Sequence, residues 1–144
     1  MMGRKVLHHA EKALVLFLCG AGVYSGMEII WRGYTHWTMA VLGGALFLVL
    51  GGLNEWLPWE MPLLAQGLLG ALIVTSAEFC AGYVLNILLG LGIWDYSRLP
   101  LNLMGQICLP FSLIWWAVSI FGIVLDDWIR YWIFKEERPH YKII

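Results

Sequence analysis

The sequence predicts an all-α membrane protein in which four transmembrane helices form a compact bundle. Of its 144 residues, 60% are apolar before glycine is counted and 13% are charged, whereas a soluble domain is about 45–50% apolar and about 25% charged. One domain is all that this length supports, and it could not hide so much apolar surface from water. We therefore interpret residues 1–144 as a single integral membrane domain solvated by a lipid bilayer.

Charged residues divide the chain into spans, because a charge at the bilayer centre costs at least ~2.5–3.5 kcal/mol on insertion scales. A spanning helix needs about 17–25 mostly apolar residues. The predicted spans are residues 11–32, 37–55, 62–91 and 107–133. The third is too long for a simple crossing, so it must tilt, project beyond the hydrocarbon, or break near Gly90 and Gly92, either of which could end a helix.

Basic residues predict that both termini lie in the cytoplasm, because short cytoplasmic flanks carry an excess of Lys and Arg. The basic residues predicted on the side of the termini are Arg4, Lys5, Lys12, Arg130, Lys135, Arg138 and Lys142. Only Arg32 and Arg98 lie on the other side. Most tryptophans fall at the two predicted interfaces, but Trp115 and Trp116 fit neither belt.

Charge and cysteine content exclude several classes of function. A net charge of −1 leaves no basic surface for nucleic acid. The three cysteines, Cys19, Cys80 and Cys108, lie in apolar runs without disulfide or zinc-site spacing. Glu28, His36, Glu78 and Asp95 lack a local metal-binding spacing, so we predict no metal and no cofactor.

Small residues spaced four apart predict close helix packing, since lipid supplies no hydrophobic drive between helices. Gly22 and Gly26 form such a pair in the first span. Two glycine pairs, Gly43 with Gly44 and Gly51 with Gly52, lie on one side of the second span. We expect these glycines to pack within the protomer.

Glu78 is the strongest candidate for a functional residue, because it is the one charge in the middle of a long apolar segment. An intramembrane carboxylate is a functional hypothesis by default. Desolvation favours its neutral form, so we expect a protonated Glu78 that hydrogen-bonds a neighbouring helix. The alternative is a purely structural staple between two helices.

Further polar candidates lie toward the predicted outer side. Glu28 precedes Arg32 by four residues, the favourable order for a helical ion pair. The segment 94–105 joins the last two spans, and its Asp95 can accept from the amide of Ser97 in an Asx turn. The candidate ligand- or ion-binding residues are Glu28, Glu78, Asp95, Tyr96, Arg98 and Asn102. No catalytic residue is predicted, since Ser97 lacks a paired histidine.

The loop between the last two spans carries a specific motif. Its residues are Trp94, Asp95, Tyr96, Ser97, Pro100, Asn102, Gly105, Ile107, Leu109, Phe111, Ser112 and Trp115. They resemble the W-D-Y-S signature of the ABC-transporter type IV (CmpB-like) membrane family, a domain shared with small vertebrate transmembrane proteins. Glu78 and, less closely, Glu28 with Arg32-Gly33 are similar to the family's pattern upstream. After Gly33, however, the family's G-P-x-x-P-I-Y-G stretch is replaced by an uninterrupted span.

The resemblance implies a transport-associated, permease-like role in a membrane, here the bacterial inner (plasma) membrane. The outer polar residues would bind a polar solute, a cation or a proton. We expect a homo-oligomer, or a partner membrane or ATPase subunit, because the chain has no Walker motif of its own. The alternatives are a membrane-embedded enzyme that acts on a lipid-like substrate and a non-transporting membrane scaffold.

Overall fold

A computed structural model describes the backbone of residues 2–144 and the side chains from His8 onwards. Its helices are α1 (Met2–Arg32), α2 (Trp37–Trp56), α3 (Leu63–Gly82) and α4 (Leu109–Phe134). Within these described residues, four segments are long and apolar enough to cross a membrane: His8–Arg32, Trp37–Trp56, Leu63–Leu88 and Leu109–Phe134. The prediction of four membrane-spanning helices is confirmed. The side chains of Arg4 and Lys5, which enter the orientation prediction, lie outside the described part.

The chain forms two compact units. The first unit comprises Met1–Pro58 and Gly122–His140, and in it α1 packs against α2 through glycines. Gly44 leaves room for the ring of Phe17, at 2.8 Å from where its Cβ would lie, and Gly43 does the same for Tyr24. Gly22 and Gly26 differ, because nothing lies within 4 Å of a Cβ built on either of them. The expected packing within the protomer is therefore wrong for this pair in α1.

The second unit comprises Trp59–Phe121 and Tyr141–Ile144. In it α3 packs against the first half of α4, where Gly67 accommodates Trp116 and Ile120. The indole Nε1 of Trp116 donates to the carbonyl oxygen of Leu64 at 2.9 Å. This bond fixes Trp116 against the first turn of α3.

A π-helix extends α3 before the helical segment ends. A π-helix, Tyr83–Leu88, continues directly from Gly82. Gly90 and Gly92 then adopt positive φ values of 67° and 57°, a region that favours glycine. Of the three alternatives for this long span, the structure shows the break near these two glycines. Together α3 and the π-helix contain the 26 residues of one candidate span.

A small hairpin connects this helix end to α4, and the sequence did not predict it. Strand β1 (Asn102–Leu103) pairs antiparallel with β2 (Ile107–Cys108), with Asn102 opposite Cys108. Its turn uses Met104 and Gly105 at φ 54° and 70°. Strands of two residues are too short for a hydrophobic alternation to show in the sequence.

Candidate functional site

The Glu78 carboxylate lies at the centre of the polar contacts in the second unit. Glu78 is on α3 and is 3% exposed. The hydroxyl of Tyr96 donates to its Oε1 at 3.0 Å, and the indole Nε1 of Trp115 donates to its Oε2 at 2.9 Å. The prediction that Glu78 hydrogen-bonds a neighbouring helix is confirmed by Trp115 of α4. In these contacts the carboxylate is the acceptor.

The two donors reach Glu78 from different elements. Trp115 projects from α4, and Tyr96 comes from the loop that precedes it. The ring of Phe111, one helical turn before Trp115, stacks on Tyr96 with centroids 4.6 Å apart and planes at 10°. This stacking holds the phenol in place, so a residue of the loop is fixed against a carboxylate of a membrane span.

Trp115 is a site residue that the sequence analysis missed. Its position fits neither tryptophan belt, which was the available signal that the indole serves another purpose. A buried indole N–H needs an acceptor, and Trp115 is 8% exposed. Its partner could not be identified from the sequence because it lies on another helix.

A second polar bridge joins α3 and α4 one turn away. The Thr75 hydroxyl donates to Ser112 Oγ at 3.1 Å. Thr75 precedes Glu78 by three residues and Ser112 precedes Trp115 by three, so the two bridges occupy successive turns of both helices. Hydrogen bonds between spans are worth about 0.6–1.7 kcal/mol each in measured cases, so these bridges fix the register of the two helices.

The loop above Glu78 is ordered by its own side chains. Asp95 Oδ1 accepts from the backbone N–H of Ser97 at 2.9 Å, which confirms the predicted Asx turn. The backbone N–H and hydroxyl of Ser97, and then the charge of Arg98, lower the pKa of Asp95 below its ordinary 3.8. Asp95 is therefore a stable anion on an exposed loop.

The side chain of Asn102 hydrogen-bonds three backbone groups of the loop. Its Nδ2 donates to the carbonyl oxygens of Ser97 at 3.2 Å and Leu99 at 2.9 Å. Its Oδ1 accepts from the amide of Gly105 at 3.1 Å. These bonds occupy the polar atoms that the sequence analysis assigned to a ligand, so the observed contacts of Asn102 are structural.

Gln106 fixes the hairpin to the end of α3. It is 5% exposed, and its Oε1 accepts from Asn86 Nδ2 at 2.9 Å. The Trp94 indole donates to the Gln106 carbonyl oxygen at 2.9 Å. Gly82 makes this approach possible, because a Cβ there would lie 2.8 Å from the Trp94 ring. Asn86 lies in the π-helix, a feature that often marks functional sites.

Glu28 belongs to the first unit, whereas the other candidate site residues belong to the second. Its Oε1 accepts from Arg32 Nη2 at 2.7 Å, and its Oε2 accepts from the Thr35 hydroxyl at 2.7 Å. The predicted helical ion pair is confirmed. The Arg32 guanidinium also lies 4.7 Å from the ring centroid of Tyr34, so both ends of this pair are held locally.

A buried charge cluster in the first unit was not predicted. Asp126 is completely buried and Arg130 is 7% exposed. Arg130 pairs with Asp126 and with Glu55 of α2, and Lys12 pairs with Glu136. The orientation prediction treats Arg130 as a flanking cation, but its side chain is paired inside the unit. Among the described residues, no group of three His, Cys, Asp or Glu side chains could hold a metal ion.

Four long apolar helices and a hydrogen-bonded carboxylate within one of them define the class as a polytopic α-helical membrane protein. The chain belongs to the family described as Putative ABC-transporter type IV, whose model matches residues 16–141. That match includes most of α1, all of the other three helices and the loop above Glu78. Comparison with curated proteins and with solved structures gave no match. The chain is thus a bilayer-embedded member of a transport-associated family.

Proposed function

We propose that this protein is a permease-like membrane subunit whose Glu78 site binds and releases a proton during transport. The observation that carries the proposal is the pair of contacts to Glu78, from Tyr96 at 3.0 Å and Trp115 at 2.9 Å. The contact from Tyr96 persists when the carboxylate gains or loses a proton, and the contact from Trp115 fixes the position of the carboxylate.

The chemistry of the two donors differs. An indole N–H can only donate, so Trp115 requires Oε2 of Glu78 to remain an acceptor. A phenol hydroxyl can donate or accept. When Oε1 carries a proton it can donate to the oxygen of Tyr96, and when Oε1 is ionised it accepts from that hydroxyl. Both protonation states of Glu78 therefore keep both hydrogen bonds.

A proton suits this site better than a larger ligand. The N–H of Trp115 points at the carboxylate and cannot coordinate a cation. A polar solute would have to displace a donor from Glu78, whereas a proton needs only the existing oxygen atoms. Among the candidates named from the sequence, Arg98 and Asp95 then contribute charge at the loop, and Tyr96 relays the state of Glu78 to it.

The proposed topology has both termini in the cytoplasm and the 94–105 loop on the outer side of a bacterial inner membrane. The positive-inside rule supports it. A cysteine placed at Ser97 tests it, because a thiol on the outer side reacts with reagents that cannot cross the membrane. Reaction only with permeant reagents would contradict this orientation.

A partner is also part of the proposal. The sequence contains no Walker motif, so an ATPase would be a separate chain, and Gly22 and Gly26 leave an open small-residue face on α1. The function is tested on the assembly that copurifies from native membranes in mild detergent. Mass spectrometry should find a second copy or an ATP-binding chain, and a lone protomer with full activity would contradict the proposal.

Proton handling is tested by reconstituting that assembly into liposomes that contain a pH-sensitive dye. Glu78→Gln should abolish proton movement while the protein still reconstitutes. Ser76→Ala is the matched control, because Ser76 lies on the same helix and its hydroxyl donates to the Leu72 carbonyl oxygen of its own helix. Equal proton movement in Glu78→Gln and Ser76→Ala would contradict the proposed role.

A second candidate function is a non-transporting scaffold. It is favoured by one observation: the Glu28 and Glu78 carboxylates are both satisfied by groups of the protein itself. The scaffold hypothesis predicts that Glu78→Gln is harmless in every assay, whereas the transport hypothesis predicts that it folds and is inactive.

A further inference from the structure

The connection between the π-helix and α4 carries an unusual set of exposed apolar side chains. We call them the apolar rim: Leu88, Leu89, Leu91, Leu101, Leu103 and Met104. Each is between 49% and 77% exposed. Between Glu78 and Asp126 the sequence has only two charges, Asp95 and Arg98. A connector in water would not need so many apolar side chains and so few charges.

Two members of the rim are held in strained backbone conformations. Leu101 has φ 51° and Met104 has φ 54°, in the left-handed region that bulky side chains rarely adopt. Glycine or asparagine would fit these positions with less strain. Leu101 is 77% exposed and Met104 is 55% exposed, so packing within the unit does not explain why these side chains are there. An apolar environment outside the unit would stabilise them.

We propose that the apolar rim is immersed in the interfacial layer of the lipid bilayer and anchors the loop above Glu78 there. The rim is continuous with the lipid-exposed surface of two spans, because it starts at the last residue of the π-helix, Leu88, and leads into α4 at Leu109. Leu109 itself is 46% exposed. Lipid is therefore the occupant that covers this surface, and no partner protein is required.

The length of the span Leu63–Leu88 is consistent with a rim in the interfacial layer. The span Leu63–Leu88 has 26 residues, and the 20 residues of α3 alone correspond to about 30 Å at about 1.5 Å per residue. The hydrocarbon core is about 30 Å thick, so the end of this span reaches into the headgroup and glycerol layer. Apolar side chains at an interface bury about 5–10 Å into that boundary.

The polar part of the loop defines its water-facing side. Asp95, Ser97 and Arg98 are exposed and lie within four consecutive residues. A long arginine side chain can extend toward lipid phosphates while its stem lies along apolar surface. The loop thus has an apolar edge toward the acyl chains and a charged edge toward the headgroups and water.

Spin labels on the full-length protein in phosphatidylcholine–phosphatidylglycerol nanodiscs test this proposal. Labels are attached to single cysteines at Leu101 and Leu103, with a label at Ser97 as the matched control on the same loop. Cys19 and Cys80 are replaced by alanine, whereas Cys108 is buried and stays. Collision with oxygen and with a water-soluble nickel chelate is measured for each label.

Lipid immersion predicts that the labels at Leu101 and Leu103 collide readily with oxygen and weakly with nickel chelate, while the label at Ser97 shows the reverse. Strong nickel collision at the rim would place it in water and overturn the proposal. Weak collision with both reagents would indicate a protein surface, such as a second copy, and would also overturn it.

A pair of backbone-compatible variants separates anchoring from folding. Leu101→Asn and Met104→Asn suit the left-handed conformation, so the thermal unfolding temperature in detergent should not fall. In nanodiscs the label at Leu103 should become several-fold more accessible to nickel chelate in the double variant. An unchanged accessibility would show that these two side chains do not anchor the loop and would contradict the proposal.

Discussion

Replacing Gly51 with alanine tests the packing of the buried charge cluster most sharply. Gly51 lies in α2, and a Cβ built there would overlap the carboxylate of Asp126. Asp126 is completely buried and pairs with Arg130. The added methyl group must therefore displace a fully buried carboxylate that is paired with Arg130. Gly52 is the matched control, because a Cβ at that position meets nothing within 4 Å.

The expected change in the free energy of unfolding for Gly51→Ala is the sum of two losses and one gain. Loss of a charge-assisted hydrogen bond costs about 1.5–3 kcal/mol, and overpacking a tight contact costs about 1–3 kcal/mol. Alanine in place of glycine within a helix returns about 1 kcal/mol. We expect Gly51→Ala to lower the free energy of unfolding by about 1.5–5 kcal/mol from these terms, and Gly52→Ala to raise it by up to about 1 kcal/mol.

The assay is unfolding of the purified protein in mixed micelles by increasing SDS, followed by circular dichroism. A double-mutant cycle identifies the cause, because Asp126→Ala removes the group that the new methyl would strike. In the Asp126→Ala background the loss caused by Gly51→Ala should disappear, and only the helix-propensity gain of up to about 1 kcal/mol should remain. Equal stability of Gly51→Ala and Gly52→Ala would contradict this prediction. A loss from Gly51→Ala that is as large in the Asp126→Ala background as in wild type would also contradict it.

Glu78→Leu removes the acceptor of both Tyr96 and Trp115 and should lower the free energy of unfolding in the same SDS assay by about 1–3 kcal/mol. Glu78→Gln keeps an acceptor and a donor, so its stability should stay near that of wild type. Equal losses in the two variants would contradict this prediction. Trp115→Phe should destabilise by about 0.6–1.7 kcal/mol and should not add to Glu78→Leu, since both remove the same bond; additive losses would contradict it. The pKa of Asp95 is lowered by the N–H and hydroxyl of Ser97, so the turn is stabilised above the ordinary value of 3.8 and loosens only as the pH falls below it. The Ser97 amide resonance should accordingly titrate with a midpoint below pH 3.8, and a midpoint above that value would contradict the assignment.

The membrane spans could be predicted because they depend only on the order of apolar and charged residues along the chain. A charge in hydrocarbon is so unfavourable that charge-free runs mark the helices, and the positive φ of Gly90 and Gly92 ends the third helix where the sequence suggested a break. The ion pair of Glu28 with Arg32 was also predictable, since it depends only on helical spacing.

The partners of Glu78 were not predictable in the same way. Its position in a span is visible in the sequence, but Trp115 reaches it from another helix and Tyr96 from a loop. The cluster around Asp126 was missed for a related reason. A charge near the end of a span can face water or protein, and only the close approach allowed by Gly51 shows that Asp126 is buried.

Infrared difference spectroscopy measures the proposed proton exchange at Glu78 directly. Spectra of the full-length protein in nanodiscs are compared between alkaline and acidic buffer for wild type, Glu78→Gln, Ser76→Ala and Tyr96→Phe. We predict a protonated-carboxyl band in wild type and Ser76→Ala that is absent from Glu78→Gln and shifted in Tyr96→Phe, because the phenol is its hydrogen-bond partner. If Glu78→Gln has the same carboxyl bands as wild type, Glu78 does not exchange a proton, and the proposed function is wrong.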